Sequence, residues 1–188
     1  MGTRYAALEP AHRRFIETQH IFFTGTAAHD GRVNVSPKGM GQLRVLGPNR
    51  ILWRNLTGSG NESAAHVAET GRMTLMWCAF EGPPMILRAY GTARAIHRLD
   101  ADWADLDSHF DPDPAARQIF DLTVDLVQKS FRYGVPELTY RQDRPVLTEW
   151  AANKGEDGIR AYWANRNART IDDKPTDIVR LNIGAEQT

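Results

Sequence analysis

The chain has 188 residues and a formal net charge of zero. That balance gives no electrostatic footprint for nucleic acid, no apolar run reaches membrane-spanning length, and a single cysteine excludes an internal disulfide. A hydrophobic content of 41% suffices for one core, and the opening MGTRYAALEPAHRRF lacks the apolar segment of a signal peptide, so a soluble cytoplasmic protein is expected.

Pro10 to Gln19 reads as a short helix with Phe15 and Ile16 on its apolar face. His20 to Ala28, containing IFFTGTA, is a strand. His29-Asp30-Gly31 is a hairpin turn, because Asp-Gly accepts positive φ. Arg32 to Ser36 returns as a second strand, and Pro37, lacking an N–H, should stop its pairing or bulge it. Gln42 to Leu46 and Arg50 to Asn55 are the third and fourth strands around Gly47-Pro48-Asn49. Arg72 to Phe80 is an apolar strand, with Cys78 as a buried small hydrophobe. Met85 to His97 is a long strand in which Gly91 marks a bulge, bend or close approach. Asp100 to Phe110 reads as a helix with Trp103, Leu106 and Phe110 on one side, residues 116–120 as a short helical turn, and Asp121 to Ser130 as the last long strand. Two helices, Arg144 to Asn153 and Glu156 to Asn167, flank Lys154-Gly155. The expected architecture is mainly β with flanking helices (α+β). It is a split barrel of six to seven antiparallel strands, read as a meander, over 1–140, with a helical extension over 141–188.

The stretch between the fourth strand and Gly71 concentrates polar chemistry. Leu56-Thr57-Gly58-Ser59-Gly60 breaks the strand, and Asn61-Glu62-Ser63-Ala64-Ala65-His66-Val67 begins a helix with Ser59 or Asn61 as N-cap. Hydroxyls, an amide and free backbone N–H groups meet at a helix N-terminus, an arrangement that suits a phosphate. It is also the pattern of an ordinary capped helix.

The strings FIETQHIFFTGTA, GRVNVSPKG, LTGSGNESAAHVAETGRMTLMWCAFEGPP, ILRAYGTAR and YGVP, in this order across residues 10–170, resemble the pyridoxamine 5′-phosphate oxidase-like family of FMN-binding split β-barrels. The resemblance implies a cytoplasmic homodimer with FMN at the interface and hydride chemistry at flavin N5 on a small-molecule substrate, coupled to NAD(P)H, oxygen or another oxidant. It places the flavin ring against Asn34, Val35, Ser36 and Lys38, with Lys38 able to stabilise the charge of reduced flavin. It places the ribityl phosphate against Arg54, Asn55, Thr57, Ser59, Asn61 and Glu62, with Arg88 as a further phosphate partner. The segment from Arg132 to Pro136, carrying Tyr133, becomes a wall supplied by the partner subunit. Lys38 and Tyr133 are the catalytic candidates. Against the family pattern, Gly60-Asn61-Glu62 stands where relatives carry an Arg-Lys pair, and Val33 stands where they carry a phosphate-gripping arginine, with Arg32 one residue off. The phosphate charge must therefore be met by Arg54, the helix N-terminus or a further residue.

The six histidines show no metal-ligand spacing, and no metal is expected. Gly58-Ser59-Gly60 is not a nucleophile elbow. Asn165, Asn167, Arg169 and Thr170 form a polar end that can fold over the flavin mouth. The alternative function is a non-catalytic holder or sensor of flavin or haem on the same barrel, with His20, His66 or His97 as axial ligand.

Overall fold

The computed structural model describes residues 2–131 and 133–184. Among these residues eight strands form one antiparallel sheet: β1 (Thr3–Tyr5), β2 (Phe22–Thr26), β3 (Asn34–Lys38), β4 (Leu43–Gly47), β5 (Arg50–Leu56), β6 (Arg72–Cys78), β7 (Ile86–His97) and β8 (Ala116–Ser130). Helix α1 (Pro10–Glu17) precedes β2, α2 (Glu62–Thr70) joins β5 to β6, α3 (Trp103–Asp107) joins β7 to β8, and α4 (Val146–Tyr162) and α5 (Ile178–Asn182) follow β8. No helix among the described residues is long and apolar enough to cross a membrane.

The spatial order is β3-β2-β6-β7-β8-β5-β4, with β1 added to β8. The expected split barrel forms, with eight strands where six to seven were expected, and its strand order is not a plain meander. The β2–β3 and β4–β5 hairpins form as read, but β3 and β4, adjacent in sequence, are the two ends of the sheet path. The barrel is split between them. The chain crosses that gap through Gly39, Met40 and Gly41, the last two at φ 62° and 65°. Pro37 does not end β3; it pairs with Phe23. On an edge strand a missing N–H deprives no neighbour of a ladder bond.

β8 organises the sheet. Its first half pairs with β5, its last residues with β1, and its other edge with the whole of β7. Residues 116–120 are strand, not the expected helical turn, because both neighbouring strands offer them a ladder. Two bulges interrupt β8's pairing. One falls between Tyr90 and Gly91, where a Cβ on Gly91 would lie 1.9 Å from the Thr123 carbonyl oxygen, so only glycine fits. The other falls where Asn55 pairs with Gln118 but Leu56 pairs with Ala116, leaving Arg117 as the extra residue.

The main core lies inside the barrel around Trp53, Leu75, Trp77, Leu87, Phe120 and Val127. A second cluster places Leu106 and Phe110, with Trp103 packed against it, on Leu52 and Ile119. This helix is shorter than the expected Asp100–Phe110 but presents the expected face. In the C-terminal extension Gly155 breaks the helical path at φ 65°, ψ 175°, where the sequence placed a break. Beyond it α4 runs into a π-helical turn, Trp163–Asn167. Trp163, Ile159, Ala151 and Ile178 pack with Ala115 and Leu56 of the barrel, so the extension is seated on the end of β5 and the start of β8.

Candidate functional site

Between β3, β5, β8 and the N-terminus of α2 lies a cavity of about 330 Å³, at the lower end of the range for small-molecule sites. Its walls follow from strand alternation. On β3 the side chains of Asn34, Ser36 and Lys38 face the cavity, while Val35 points outward and is 67% exposed. Trp53 and Asn55 face it from β5. The connecting loop brings Gly58, Ser59, Gly60 and Asn61, and Glu62 and Ser63 open α2. Of the residues expected from sequence, Asn34, Ser36, Lys38, Asn55, Ser59, Asn61 and Glu62 are therefore brought together.

Four are not. Val35 belongs to the opposite face of β3, leaving only its backbone near the site. Arg54 alternates away from Trp53 and Asn55. It is 1% exposed, with Nε on Gln42 Oε1 at 2.7 Å, Nη1 on Asp107 Oδ1 at 3.0 Å, Nη2 on the Asp111 carbonyl at 2.7 Å, and its guanidinium over Phe110. It is a core ion pair, not a phosphate ligand. Thr57 is fully buried, donating to the Ala115 carbonyl at 2.8 Å and accepting from Trp163 Nε1 at 2.9 Å. It ties the C-terminal extension to the barrel. Tyr133 is 83% exposed and stacked on Phe131, away from the cavity of its own chain. Arg132 lies outside the described residues. Arg88 reaches Ser130 Oγ at 3.4 Å and does not line the cavity.

One wall was missed by sequence reasoning. Arg117, 3% exposed, lines the cavity from β8. Its Nη1 donates to Asn167 Oδ1 at 2.9 Å and its Nη2 to the Gly60 carbonyl at 2.7 Å. The Asn55 amide satisfies its surroundings with its oxygen toward Arg117 Nη2 and Gln118 Nε2, each at 3.1 Å. Every one of these acceptors is neutral. Burial pushes the Arg117 guanidinium down to about 9, so it remains charged at neutral pH. The signal in the sequence was a single cation set in the apolar run Ala115 to Val124.

Lys38 is the second cation. Its ammonium sits 5.4 Å from the Trp53 ring and has no acidic partner among the described residues. Burial first, and the charge of Arg117 second, lower its pKa from 10.5 to about 8. Glu62 is the nearest acidic group on α2, but its carboxylate accepts from the Ile171 N–H (3.1 and 3.3 Å). In the first turn of α2 the Ala64 N–H donates to the Asn61 carbonyl at 3.2 Å, while the Glu62 and Ser63 N–H groups precede any i−4 carbonyl of the helix. Asn61 at the N-cap does not cap with its side chain; its Oδ1 accepts from Gln118 Nε2 at 2.6 Å, and its Nδ2 is buried without a partner. The cavity thus holds two cations against one carboxylate, Glu62, with an orphan donor and a helix N-terminus beside them: an arrangement that suits an anion.

Lys38 also lines a larger adjoining cavity of about 890 Å³, bounded by His20, Met40, Phe80 and Tyr140. His20 stacks on Tyr140 at 3.6 Å between ring centroids. Of the histidines considered as haem ligands only His20 faces a cavity. His66 is buried against Thr26 Oγ1 at 3.2 Å, and His97 is buried against Asn182 Nδ2 at 3.2 Å. No group of three or more potential metal ligands occurs among the described residues.

Comparisons with known proteins bear on the family and the fold. The family described as pyridoxamine 5′-phosphate oxidase matches residues 8–131. A pyridoxamine 5′-phosphate oxidase family protein of Aspergillus flavus, ustO, is 31% identical, the match covering 91% of this chain and 76% of that protein. Among solved structures, a candidate pyridoxamine 5′-phosphate oxidase from Lactobacillus delbrueckii superposes with a TM-score of 0.52 at 16% identity, covering 67% of this chain and 97% of that one. HupZ from Group A Streptococcus gives 0.51 at 12% identity, covering 70% and 99%. At these identities the structural likeness is one of fold. The family match, reaching from α1 through β8, and the fungal relative go further: the chain belongs to the pyridoxamine 5′-phosphate oxidase family.

Proposed function

We propose that this protein is an FMN-binding oxidoreductase acting on a small-molecule substrate, with NAD(P)H or oxygen as the redox partner. One observation carries the reading: the buried Arg117 and the partly buried Lys38, neither ion-paired among the described residues, share a cavity with a helix N-terminus and only one carboxylate, Glu62. Uncompensated charge of this kind is costly to bury, and a phosphate-bearing cofactor would supply the missing counter-charge. The donor set fits such a group, with hydroxyls at Ser36, Ser59 and Ser63, amides at Asn34 and Asn61, and the ammonium of Lys38.

When bound, FMN supplies hydride transfer at its N5. The protein's own part is binding and tuning. Lys38 stands where the polar cavity meets the larger one, so its charge would act on the ring while the α2 end takes the phosphate. Ser36 is held by its own donation to Asn34 Oδ1 at 3.1 Å, and Asn34 Nδ2 donates to Ser63 Oγ at 3.2 Å. This chain links β3 to α2 and fixes the spacing between the two ends of the site. The larger cavity would admit the substrate. As a homodimer the protein would close this opening with the exposed Phe131–Tyr133 pair of a second copy.

The absorption spectrum of the purified protein, with FMN added, tests the reading. Oxidised-flavin bands that bleach with anaerobic NADH or NADPH support it. A Soret band, favouring a haem holder, or no bound chromophore at all would overturn it. Flavin that binds but is reduced by neither nucleotide would leave the binding and remove NAD(P)H.

A further inference from the structure

Resting on the flavin reading, we propose that Arg117, held by Asn167 of the C-terminal extension, is the residue that recognises the phosphate monoester of the cofactor. The two arginines nearest in sequence to the expected phosphate positions are both engaged elsewhere. Arg54 is spent on Asp107. Arg32 is paired with Asp172, on the outside of the molecule. Arg117 alone brings a guanidinium into the cavity.

The fold goes to some length to place it there. Strict alternation along β8 would put Arg117 on the face of Ile119, the face on which the paired strand carries Arg54. The bulge at Arg117 breaks that alternation and turns the side chain to the face of Asn55, where it lines the cavity. Bulges beside functional sites re-aim side chains in this way.

The guanidinium has five N–H donors. Its contacts to Asn167, Gly60 and Asn55 use three, and the other two have no partner among the described residues. With both Nη2 hydrogens engaged, the free donors are Nε–H and one on Nη1, which point apart, so the guanidinium would meet the phosphate through a single charge-assisted bond. Beside it the buried Asn61 Nδ2 also lacks a partner, and α2 opens with the Glu62 and Ser63 N–H groups, which precede any i−4 carbonyl of the helix.

Asn167 explains why the extension matters. It is fully buried at the end of the π-helical turn. Its Oδ1 takes Arg117 Nη1, its Nδ2 donates to the Gly58 carbonyl at 2.9 Å, and its own carbonyl accepts from Thr176 Oγ1 at 2.5 Å. One side chain therefore fixes the guanidinium and the glycine loop against each other. Asn167 is a positioning residue. It acts on the phosphate through Arg117.

The test compares FMN with riboflavin, which lacks the phosphate, by fluorescence titration of the full chain. The wild type should bind FMN at least about tenfold more tightly, the scale of charge-assisted hydrogen bonds. Arg117→Met should bring the FMN constant to within about threefold of the riboflavin constant, weakening FMN far more than riboflavin, because only FMN loses the charge-assisted bond to phosphate. Asn167→Ala should move the ratio in the same direction by less, and Arg117→Lys should retain part of it. A wild-type ratio near one, or an unchanged ratio in a folded Arg117→Met protein, overturns the proposal; if that variant does not fold, an unchanged ratio in Arg117→Lys does so. If the wild type binds neither flavin, the flavin reading fails by itself. The anion site is then judged by inorganic phosphate, which should raise the Tm of the wild type but not that of the Arg117 variant.

Discussion

Arg54 and Arg117 are two buried arginines on paired strands, each almost inaccessible to solvent and each within a few residues of the same bulge. Their surroundings differ in one respect. Arg54 meets a carboxylate, an amide, a backbone carbonyl and an aromatic face. Arg117 meets only neutral oxygens. A buried charge with its counter-charge in place completes a structure, whereas one without it stores an unmet interaction. The first is a clamp between β5 and the α3 region; the second faces a cavity. Burial and residue type do not separate them; the partners do.

The sharpest way to break this comparison is to remove both charges in turn. Arg54→Met strands Asp107 and leaves Gln42 and the Asp111 carbonyl without their donor, and should cost about 2–3 kcal/mol of unfolding free energy in the cofactor-free protein, toward the lower end for a broken buried pair because Asp107 is partly exposed. FMN affinity of the folded fraction should be unchanged. Arg117→Met removes a buried charge that touches no carboxylate but also takes the donor from Asn167 Oδ1 and the Gly60 carbonyl, so the free protein should lose clearly less stability than with Arg54→Met while FMN discrimination is lost. Urea unfolding of the two variants without flavin decides it. Losses of similar size in both would show that Arg117 is structural like Arg54.

The sequence made local features legible and non-local ones not. The Asp30-Gly31 hairpin, the C-cap at Gly71 (φ 68°), the bulge at Gly91 and the break at Gly155 were all readable, because glycine reports its own backbone. The β3 cavity face was readable too, since Asn34, Ser36 and Lys38 share the period of a strand. The separation of β3 from β4 was not, because nothing in either strand records which neighbour it lacks. Arg54 was misjudged for a related reason: its partner Asp107 lies 53 residues away. Arg117 was missed because its face is set by a bulge that exists only once β5 and β8 are paired.

A middle-sized effect tests the second unpaired cation. With a pKa near 8, Lys38 is charged at pH 7 and largely neutral by pH 9.5. Its attraction for an anionic ligand is present below about 8 and lost above it, so FMN affinity should fall by roughly three- to tenfold between those pH values. The stability of the free protein runs the other way. The unfolded chain holds more protons than the folded one between about 8 and 10.5, so the contribution of Lys38 is fully present above the upper value and is lost as pH falls through the lower. Lys38→Met should remove the part of both profiles centred near 8 and leave the part nearer 9 that Arg117 contributes. Affinity that follows the wild-type curve in this variant would remove Lys38 from the site.

The smallest expected effect belongs to Arg32, and its smallness is informative. Arg32 is one residue from Val33, where the family resemblance expects a phosphate-gripping arginine, and it pairs with a carboxylate as Arg54 does. Yet its side chain is 70% exposed, its partner Asp172 comes from the C-terminal segment, and the Arg32 backbone N–H also donates to Asp172 Oδ2, at 2.6 Å. Solvent-exposed pairs of this kind contribute little, because water screens the charges and two side chains must be held still. The backbone bond survives truncation of the side chain. Arg32→Ala should therefore leave the Tm within experimental error of the parent and FMN affinity within about twofold, as for an exposed pair. Titration at low and moderate salt checks this. A loss of FMN binding approaching that of Arg117→Met would mean that Arg32 leaves Asp172 when the cofactor arrives, and that position along β3, not burial without a counter-charge, marks the phosphate ligand in this chain.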